Sequence, residues 1–456
     1  MRISRFWKST FGFSFLTLLS RIFGYLRDLV ISSSLGASTI HDIFVVVFRI
    51  PNVFRSFFAE GAMSQSLIPS IVEANKNVKN LLDQIFTLLL VSLLLFVTVV
   101  EIFPESFVRV FAPGFVADEQ KFSDSVAFLR IIFPYIFLIS LVAFFGAIQN
   151  SKKHFQVFAA TPIIFNLSLI IFALNAEQLD LRIIGTSILV AGSLQLLLNT
   201  VFSFQLGYFP RPVFLLKKNQ LSSFFNRFVP AIFAAGVYQL NILVDTVFAS
   251  FLVTGSPTWL YLSERLVQFP LGLFGVAIAI VSLPDLAETF SKRNFKIFKE
   301  RSNRAILALS IIGFTSLIFL AFFSQEVIRL LFERGQFNAL DTVNTANSLI
   351  AYSVALPFLM YNKFYNSVFF AISRTDLVLK LGILSLLLNL IFNYLFIFVL
   401  HFSHVGLALA TSISVFLVFL TAQILVNLNE NLRDKKTLNI IFTSTCATFA
   451  AGGFLL

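Results

Sequence analysis

Several arginines lie inside apolar stretches of this 456-residue chain, where a charge is energetically costly. The segment VVVFRIPNVFRSFFAEGA, at positions 45–62, carries Arg49 and Arg55 among aliphatic and aromatic residues. A charge at the middle of a bilayer costs about 2.5–3.5 kcal/mol on insertion scales. A guanidinium shielded from lipid has a specific chemical use, because its planar fork binds two oxygens of a phosphate at once. These residues predict either a site for an anionic ligand or a set of structural ion pairs.

The same pattern recurs in other apolar stretches. The candidate ligand-binding set comprises Arg21, Arg27, Arg49, Arg55 and Arg265. The candidate accessory polar residues are Asp28, Asp42, Glu60 and Glu264. Pairing with these acids accounts for two or three of the arginines and leaves a positive excess. Pro51 also interrupts its helix, and such interruptions tend to mark binding regions in transporters. We favour an anion site, with structural ion pairing as the alternative.

A second group of polar residues has the chemistry of a cation site. Asn389 and Asn393 are four residues apart and lie on one helix face. Together with Asp245 and Thr411 they supply oxygen ligands from three helices, as a hard cation prefers. Hydrogen bonding between helices explains the same residues equally well.

The composition places these residues in a membrane protein. The chain is 57% hydrophobic and 12% charged, whereas soluble domains carry about 25% charged residues. It contains one cysteine, Cys446, no HExxH motif and no phosphate-binding GxxxxGK[ST] loop. These features exclude an internal disulfide, a cysteine metal cluster and ATP hydrolysis by such a loop. The class predicted is an all-α polytopic membrane protein.

Thirteen stretches are long and apolar enough to be candidate membrane-spanning helices. We interpret the first as a retained helix and not as a cleaved signal peptide, because it contains two arginines and no convincing cleavage site follows. The candidates lie at 9–34, 40–72, 82–103, 123–149, 155–175, 183–205, 224–252, 258–288, 303–323, 343–371, 376–400, 404–428 and 437–456.

The distribution of positive charge predicts the orientation. Most of the 34 Lys and Arg fall in loops on the side that holds the N-terminus. This bias places the N-terminus in the cytoplasm, and the position of the basic residues in short loops argues against nucleic-acid binding. Thirteen spans would place the C-terminus outside. The five basic residues expected on the outer side are Arg109, Lys121, Arg182, Arg329 and Arg334.

The chain also contains an internal repeat. VRVFAPGF at 108–115 resembles IRLLFERGQF at 328–337, and Pro134 and Pro357 follow at a similar offset. We predict an N-lobe of helices 1–6 at 1–212, a C-lobe of helices 7–12 at 213–430, and helix 13 at 431–456. Because six spans per copy preserve orientation, a pseudo-two-fold axis would run along the membrane normal. Substrate sites in such folds lie between the halves, which rock in alternating access.

Long motifs in the chain resemble a known family. SRIFGYLRD at 20–28, FRIPNVFRSFFAEGAMSQSLIP at 48–69, SERLVQFPLGLFGVAIAIVSLP at 263–284, FERGQF at 332–337 and GLALATS at 406–412 resemble the bacterial lipid II flippase family, MurJ/MviN. The resemblance extends from about residue 5 to 430. It implies the fold of the multidrug/oligosaccharidyl-lipid/polysaccharide exporter superfamily. It also implies movement of the lipid-linked peptidoglycan precursor across the bacterial cytoplasmic (inner) membrane, with the cell-wall synthesis machinery as a candidate partner.

The resemblance assigns roles to the residues above. Arg21, Arg27, Arg55 and Arg265 match the family's essential cavity arginines, and Arg49 joins the accessory acids. A sodium site of some members matches Asp245, Asn389, Asn393 and Thr411, with Asn393 where those members have an acid. The family has fourteen helices, the last two of which form a groove for the lipid tail. Since this chain ends at Leu456, we expect either a fragment or a member without the final helix.

Two other functions compete with a flippase. The first is a drug or cation exporter, or an exporter of another polyprenyl-lipid oligosaccharide, on the same fold. A drug or cation exporter would need an acidic, aromatic cavity, and the arginine excess argues against it. A membrane enzyme acting on a lipid phosphate would need a general base or metal-binding acids, and no DxD pair or histidine cluster occurs in the loops.

Without a nucleotide site, we expect the membrane potential or an ion gradient such as that of Na⁺ to drive transport.

Overall fold

The protein is described by a computed structural model that covers residues 2–58, 62–74, 77–214, 218–429 and 431–454. Within these ranges the chain is helical and forms no strand, which confirms the all-α prediction. The helices are α1 Arg2–Leu35, α2 Thr39–Phe58, α3 Ala62–Ala74, α4 Val78–Ile102, α5 Pro104–Phe111, α6 Glu119–Ile132, α7 Tyr135–Ser151, α8 Gln156–Asn175, α9 Leu181–Gln205, α10 Lys218–Ala249, α11 Ser256–Pro270, α12 Val276–Ser291, α13 Phe295–Phe322, α14 Ser324–Phe332, α15 Ala339–Ser353, α16 Leu356–Ala371, α17 Thr375–Tyr394, α18 His404–Leu428 and α19 Lys435–Phe454.

Eight helical stretches of the described chain are apolar and long enough to cross a bilayer, and a ninth is bent by 42° between α15 and α16. Among the described residues, α1 and α2 are not counted with these stretches, and the part of α10 that is recorded as apolar is the shorter segment Gln239–Ala249. These three helices carry most of the charged candidates of the sequence analysis. The polytopic class is therefore confirmed, whereas the number of thirteen spans stays a prediction.

Four predicted spans contain two helices each. Pro134 lies where α6 gives way to α7, and Pro357 lies at the start of α16. A proline lacks the amide that would continue the helical ladder, so the regular hydrogen bonding is interrupted at these points. Between α15 and α16 the chain also bends by 42°. Between α11 and α12 the backbone instead continues through a π-helical turn, Leu271–Gly275. In the fourth case, α2 and α3 are separated by residues 59–61, which lie outside the described ranges.

The first compact unit comprises residues 1–251. Within it α1 packs against α8, α8 and α7 against α9, and α3 against α7. The helix α10 packs against α2 and α3 and therefore belongs to this unit by its contacts. The sequence repeat assigns the same helix to the second copy, so the predicted lobe boundaries describe sequence relationship and stay a prediction.

The second compact unit comprises residues 252–456. Here α11 packs against α15, α12 and α13 against α16, α17 against α18, and α19 against α13. Its order of elements repeats that of the first unit: a long helix, a short amphipathic helix, a helix broken near proline, and two further long helices. This recurrence agrees with the sequence repeat, and the two-fold symmetry stays a prediction.

Candidate functional site

Arg27 is the most deeply buried of the candidate arginines, with an exposed fraction of 6%. Its Nε donates a 3.0 Å hydrogen bond to Asp28 Oδ1, and its Nη2 donates to the same oxygen. Its Nη1 donates to Asn166 Oδ1 of α8 at 3.1 Å. The Asn166 amide in turn donates to the backbone oxygen of Ser20 at 3.3 Å. Arg27 is thus held in one orientation by a carboxylate on its own helix and an amide on the neighbouring one.

Two further candidate arginines, one on α1 and one on α2, differ in exposure. Arg21 presents an exposed side chain, and Arg55 is half-buried near the end of α2. The ring of Pro51 lies inside α2, one turn before Arg55, and removes one amide from the helical ladder.

Arg49 connects α2 to α10. Its Nη1 donates a 3.0 Å hydrogen bond to Thr246 Oγ1, and the Thr246 hydroxyl donates to the backbone oxygen of Ile242 at 2.7 Å. Thr246 directly follows Asp245, the acid predicted for the cation site. A charge-assisted bond between α2 and α10 therefore lies next to that acid in the first unit.

Asp42 is fully buried near the start of α2 and forms an ion pair that the sequence analysis did not predict. Lys121 Nζ of α6 lies 3.5 Å from Asp42 Oδ2, and both side chains are less than 10% exposed. The ammonium also lies 4.3 Å from the centre of the Phe115 ring. Since removing one member of a buried pair leaves an uncompensated charge, this pair is a structural requirement for both residues.

A second link to α10 comes from α3 and lies near the other end of α10. Arg227 Nη2 donates to Glu73 Oε1, and Ser223 Oγ donates to Glu73 Oε2 at 2.7 Å. Glu73 lies beyond the predicted span 40–72. The hydrogen bond from Arg227, assisted by that from Ser223, lowers the pKa of Glu73 below its ordinary value of 4.5.

Arg265 belongs to the second unit and is exposed on α11. Its Nη2 donates to the Tyr261 hydroxyl at 2.9 Å, and its guanidinium carbon lies 5.0 Å from the centre of the same ring. The adjacent Glu264 is half-buried. Glu60, an accessory acid of the sequence analysis, lies outside the described residues.

The structure brings together three of the four predicted cation ligands. Asn393 Nδ2 donates to Asn389 Oδ1 at 3.0 Å, and Asn389 Nδ2 donates to Thr411 Oγ1 at 3.4 Å. The Thr411 hydroxyl donates to the backbone oxygen of Leu407 at 3.2 Å. These contacts form a chain of hydrogen bonds that joins α17 to α18, as the alternative interpretation expected. Asp245 lies in the first unit, and among the described residues no group of three His, Cys, Asp or Glu could hold a metal ion.

Sequence reasoning did not identify which residues contact the candidate residues. Thr246 and Tyr261 carry no signal that could have identified them. Asn166 was visible, because it occupies the position in the repeat that Asn389 occupies in the second copy. Lys121 was assigned to an outer loop, but the structure places it in α6 opposite Asp42.

The fold first defines the class of protein. A solved structure described as "Inward-facing conformation of a multidrug resistance MATE family transporter of the MOP superfamily" matches with a TM-score of 0.70. The match covers 89% of this chain and 94% of that chain at 14% identity. At such identity the likeness shows the fold alone. Together with its long apolar helices, this fold defines the chain as a helical, multi-pass membrane protein.

The sequence comparisons then give the family. The family described as "Lipid II flippase MurJ" matches residues 31–456. The "Probable lipid II flippase MurJ" of Buchnera aphidicola subsp. Acyrthosiphon pisum (strain APS) is 34% identical over 424 residues, which cover 91% of this chain and 82% of the relative. A solved "Lipid II flippase MurJ, inward closed conformation" matches with a TM-score of 0.82 and 27% identity over 96% of this chain and 91% of that chain. This chain belongs to the lipid II flippase MurJ family.

Family membership confirms the resemblance found in the sequence. The relatives of this chain are named flippases, so the chain is a transporter and not an enzyme. The apolar helices of the chain make it a multi-pass membrane protein.

Proposed function

We propose that this chain moves lipid II, the lipid-linked precursor of peptidoglycan, from the cytoplasmic to the outer leaflet of the bacterial inner membrane. The match to the lipid II flippase MurJ family over residues 31–456 carries this proposal. The positive character of α1 and α2 supports it, because the diphosphate of such a lipid needs cationic donors on its path.

In this proposal Arg27, Arg55 and Arg265 bind the diphosphate, and Arg21 and Arg49 add positive charge along the path. Arg27 is already oriented by Asp28 and Asn166. A guanidinium held in place loses less entropy on binding a phosphate than a freely rotating one does. The sugar and peptide occupy an aqueous chamber, while the lipid tail stays in the bilayer. The arginine excess disfavours an organic cation as the cargo, although multidrug transporters share the fold.

The drive we propose is the membrane potential, with the N-terminus in the cytoplasm as the distribution of positive charge predicts. Moving one charge through 100 mV provides about 2.3 kcal/mol, enough to bias a two-state cycle. Sodium is the alternative drive. The hydrogen-bonded trio Asn389, Asn393 and Thr411 contributes only neutral oxygens, and this composition favours the potential.

Complementation tests the proposal directly. The native flippase is depleted in a bacterium, and rescue of growth and of lipid II exposure on the outer leaflet is measured. The wild-type chain is expected to rescue, whereas Arg55→Ala and Arg265→Ala at equal expression are expected to fail. Arg182→Ala is the matched control, because Arg182 is exposed at the start of α9. Full rescue by both site variants would disprove the diphosphate role, and failure of the wild-type chain to expose lipid II would reject the function.

A further inference from the structure

A cleft between α12 and α13 in the second unit has none of the candidate site residues in its lining. Its volume is about 660 Å³. Aliphatic residues of α12 form one part of the lining, and charged residues form another. The residues that carry the argument are Ala277, Ile278, Val281, Asp285, Arg301 and Arg304.

The charged end of the cleft carries a net positive charge. Arg301 Nη1 lies 3.2 Å from Asp285 Oδ2, so one guanidinium is neutralised by a carboxylate. Arg304 lies three residues further along α13, hence on a neighbouring position of the same helix face, and its side chain is exposed. Two cations and one anion leave a net charge of about +1, which suits a ligand with a single negative charge.

The apolar end of the cleft continues along a membrane-spanning stretch. Val281 is 75% exposed and the adjacent Ile280 is 65% exposed, within the stretch 256–291 that is apolar enough to cross a bilayer. Exposed aliphatic side chains on a membrane-spanning stretch contact the acyl chains of lipids favourably.

The charged end lies near the membrane surface that the sequence predicts to be cytoplasmic. The turn from α12 to α13 and the first turns of α13 carry Lys292, Arg293, Lys296 and Lys299 in addition to the two arginines of the cleft. Basic residues at this level attract the headgroups of anionic lipids, and basic pockets between helices bind them individually.

We propose that this cleft binds a monoanionic glycerophospholipid such as phosphatidylglycerol. The phosphodiester contacts Arg304 and the outer side of Arg301, and one acyl chain follows Ile278 and Val281. A lipid diphosphate fits less well, because its additional negative charge would lie beside the Asp285 carboxylate. The bound lipid is thus distinct from the transported substrate, and the proposal does not depend on the transport function.

The test measures binding of phosphatidylglycerol to the full-length protein by native mass spectrometry, with phosphatidylcholine as the neutral comparison. Arg304→Gln is expected to weaken phosphatidylglycerol binding about tenfold, the equivalent of about 1.4 kcal/mol. Asp285→Asn is expected to strengthen it, because Arg301 then contributes a full charge. Arg304→Lys, which keeps the charge, is expected to retain part of the affinity. The control is Arg293→Gln, which removes one charge from the exposed turn outside the cleft.

Three results would overturn the proposal. Unchanged binding by Arg304→Gln would exclude the cleft. An equal loss in Arg293→Gln would show a general effect of surface charge. Displacement of phosphatidylglycerol by a lower concentration of undecaprenyl diphosphate would assign the cleft to a diphosphate ligand.

Discussion

The guanidinium of Arg49 on α2 donates a 3.0 Å hydrogen bond to the hydroxyl of Thr246 on α10, 197 residues away. This bond fixes the charged helix of the first repeat against the helix that opens the second repeat in sequence. It also places a candidate arginine next to Asp245 along α10. The contact joins two parts of the chain that sequence motifs treat separately, and it leads to the first prediction.

Thr246→Val is expected to destabilise the protein by about 1.5 kcal/mol, because a hydrogen bond to a charged group is lost and the shape is retained. Thermal unfolding in detergent measures the effect. Thr186→Val is the matched control, since the Thr186 hydroxyl donates to the backbone of its own helix at Arg182. If both variants unfold at the same temperature, the bond to Arg49 contributes nothing to stability.

Breaking the buried pair on α1 is expected to be more costly. Asp28→Ala leaves the buried Arg27 guanidinium without its carboxylate and should cost about 3–5 kcal/mol. The double variant Arg27→Met, Asp28→Leu should recover much of that stability and still fail to transport, because the guanidinium is absent. Thermal unfolding and lipid II exposure distinguish the two effects. A stable single variant would show that the folded state does not depend on the Asp28 carboxylate.

The glycine at position 114 is predicted to be indispensable for the packing of α10. A Cβ at Gly114 would lie 2.3 Å from the backbone oxygen of Ser250, and the Gly114 amide donates to Ser250 Oγ at 3.0 Å. Gly114→Ala is therefore expected to lower the unfolding temperature. The comparison is Gly24→Ala, whose Cβ would make an ordinary 3.5 Å contact with Asn166. Equal unfolding temperatures for the two variants would contradict this close approach.

The Glu73–Arg227 link predicts an acid-sensitive contribution to stability. The pKa of the Glu73 carboxyl in the folded protein is lowered from 4.5. The stabilisation from this link is therefore fully present above about pH 4.5 and is lost as the pH falls through the folded pKa. Thermal stability measured from pH 7 to pH 3 should therefore fall more steeply in the wild type than in Glu73→Gln. If thermal stability falls equally in both proteins as the pH is lowered, the Glu73 carboxylate does not contribute to the pH dependence of stability.

Replacing Asn393 by aspartate tests the cation site. Asn393→Asp adds a carboxylate beside Asn389 and Thr411 and is expected to make stability depend on sodium. At ten times the dissociation constant, binding would add about 1.4 kcal/mol. Unfolding in NaCl and KCl measures this difference, and the wild type is expected to show none. A sodium-specific shift in the wild type would instead favour sodium as the driving ion.

The sequence by itself determined which stretches are helical and which of them carry charge. Every predicted span contains a described helix, because long apolar runs have few alternative structures in a bilayer. The short helices α5 and α14 were not predicted, since eight or nine residues cannot span a membrane. The motif around Arg55 and Pro51 is long and specific, and with four other motifs it predicted the family that the match over residues 31–456 shows.

Only the tertiary structure decided which partner each charge has. Arg27 bonds Asp28 and Asn166, and Lys121 reaches Asp42, a residue 79 positions away. Such pairs depend on how each helix is rotated about its axis and on which neighbour it meets, and packing sets both. Sequence spacing fixes the face that a side chain shares with others on its own helix, whereas the partners that it finds on other helices, such as Asn166 for Arg27, depend on packing. The residue types therefore predict a chemistry, and packing decides how those residues are arranged.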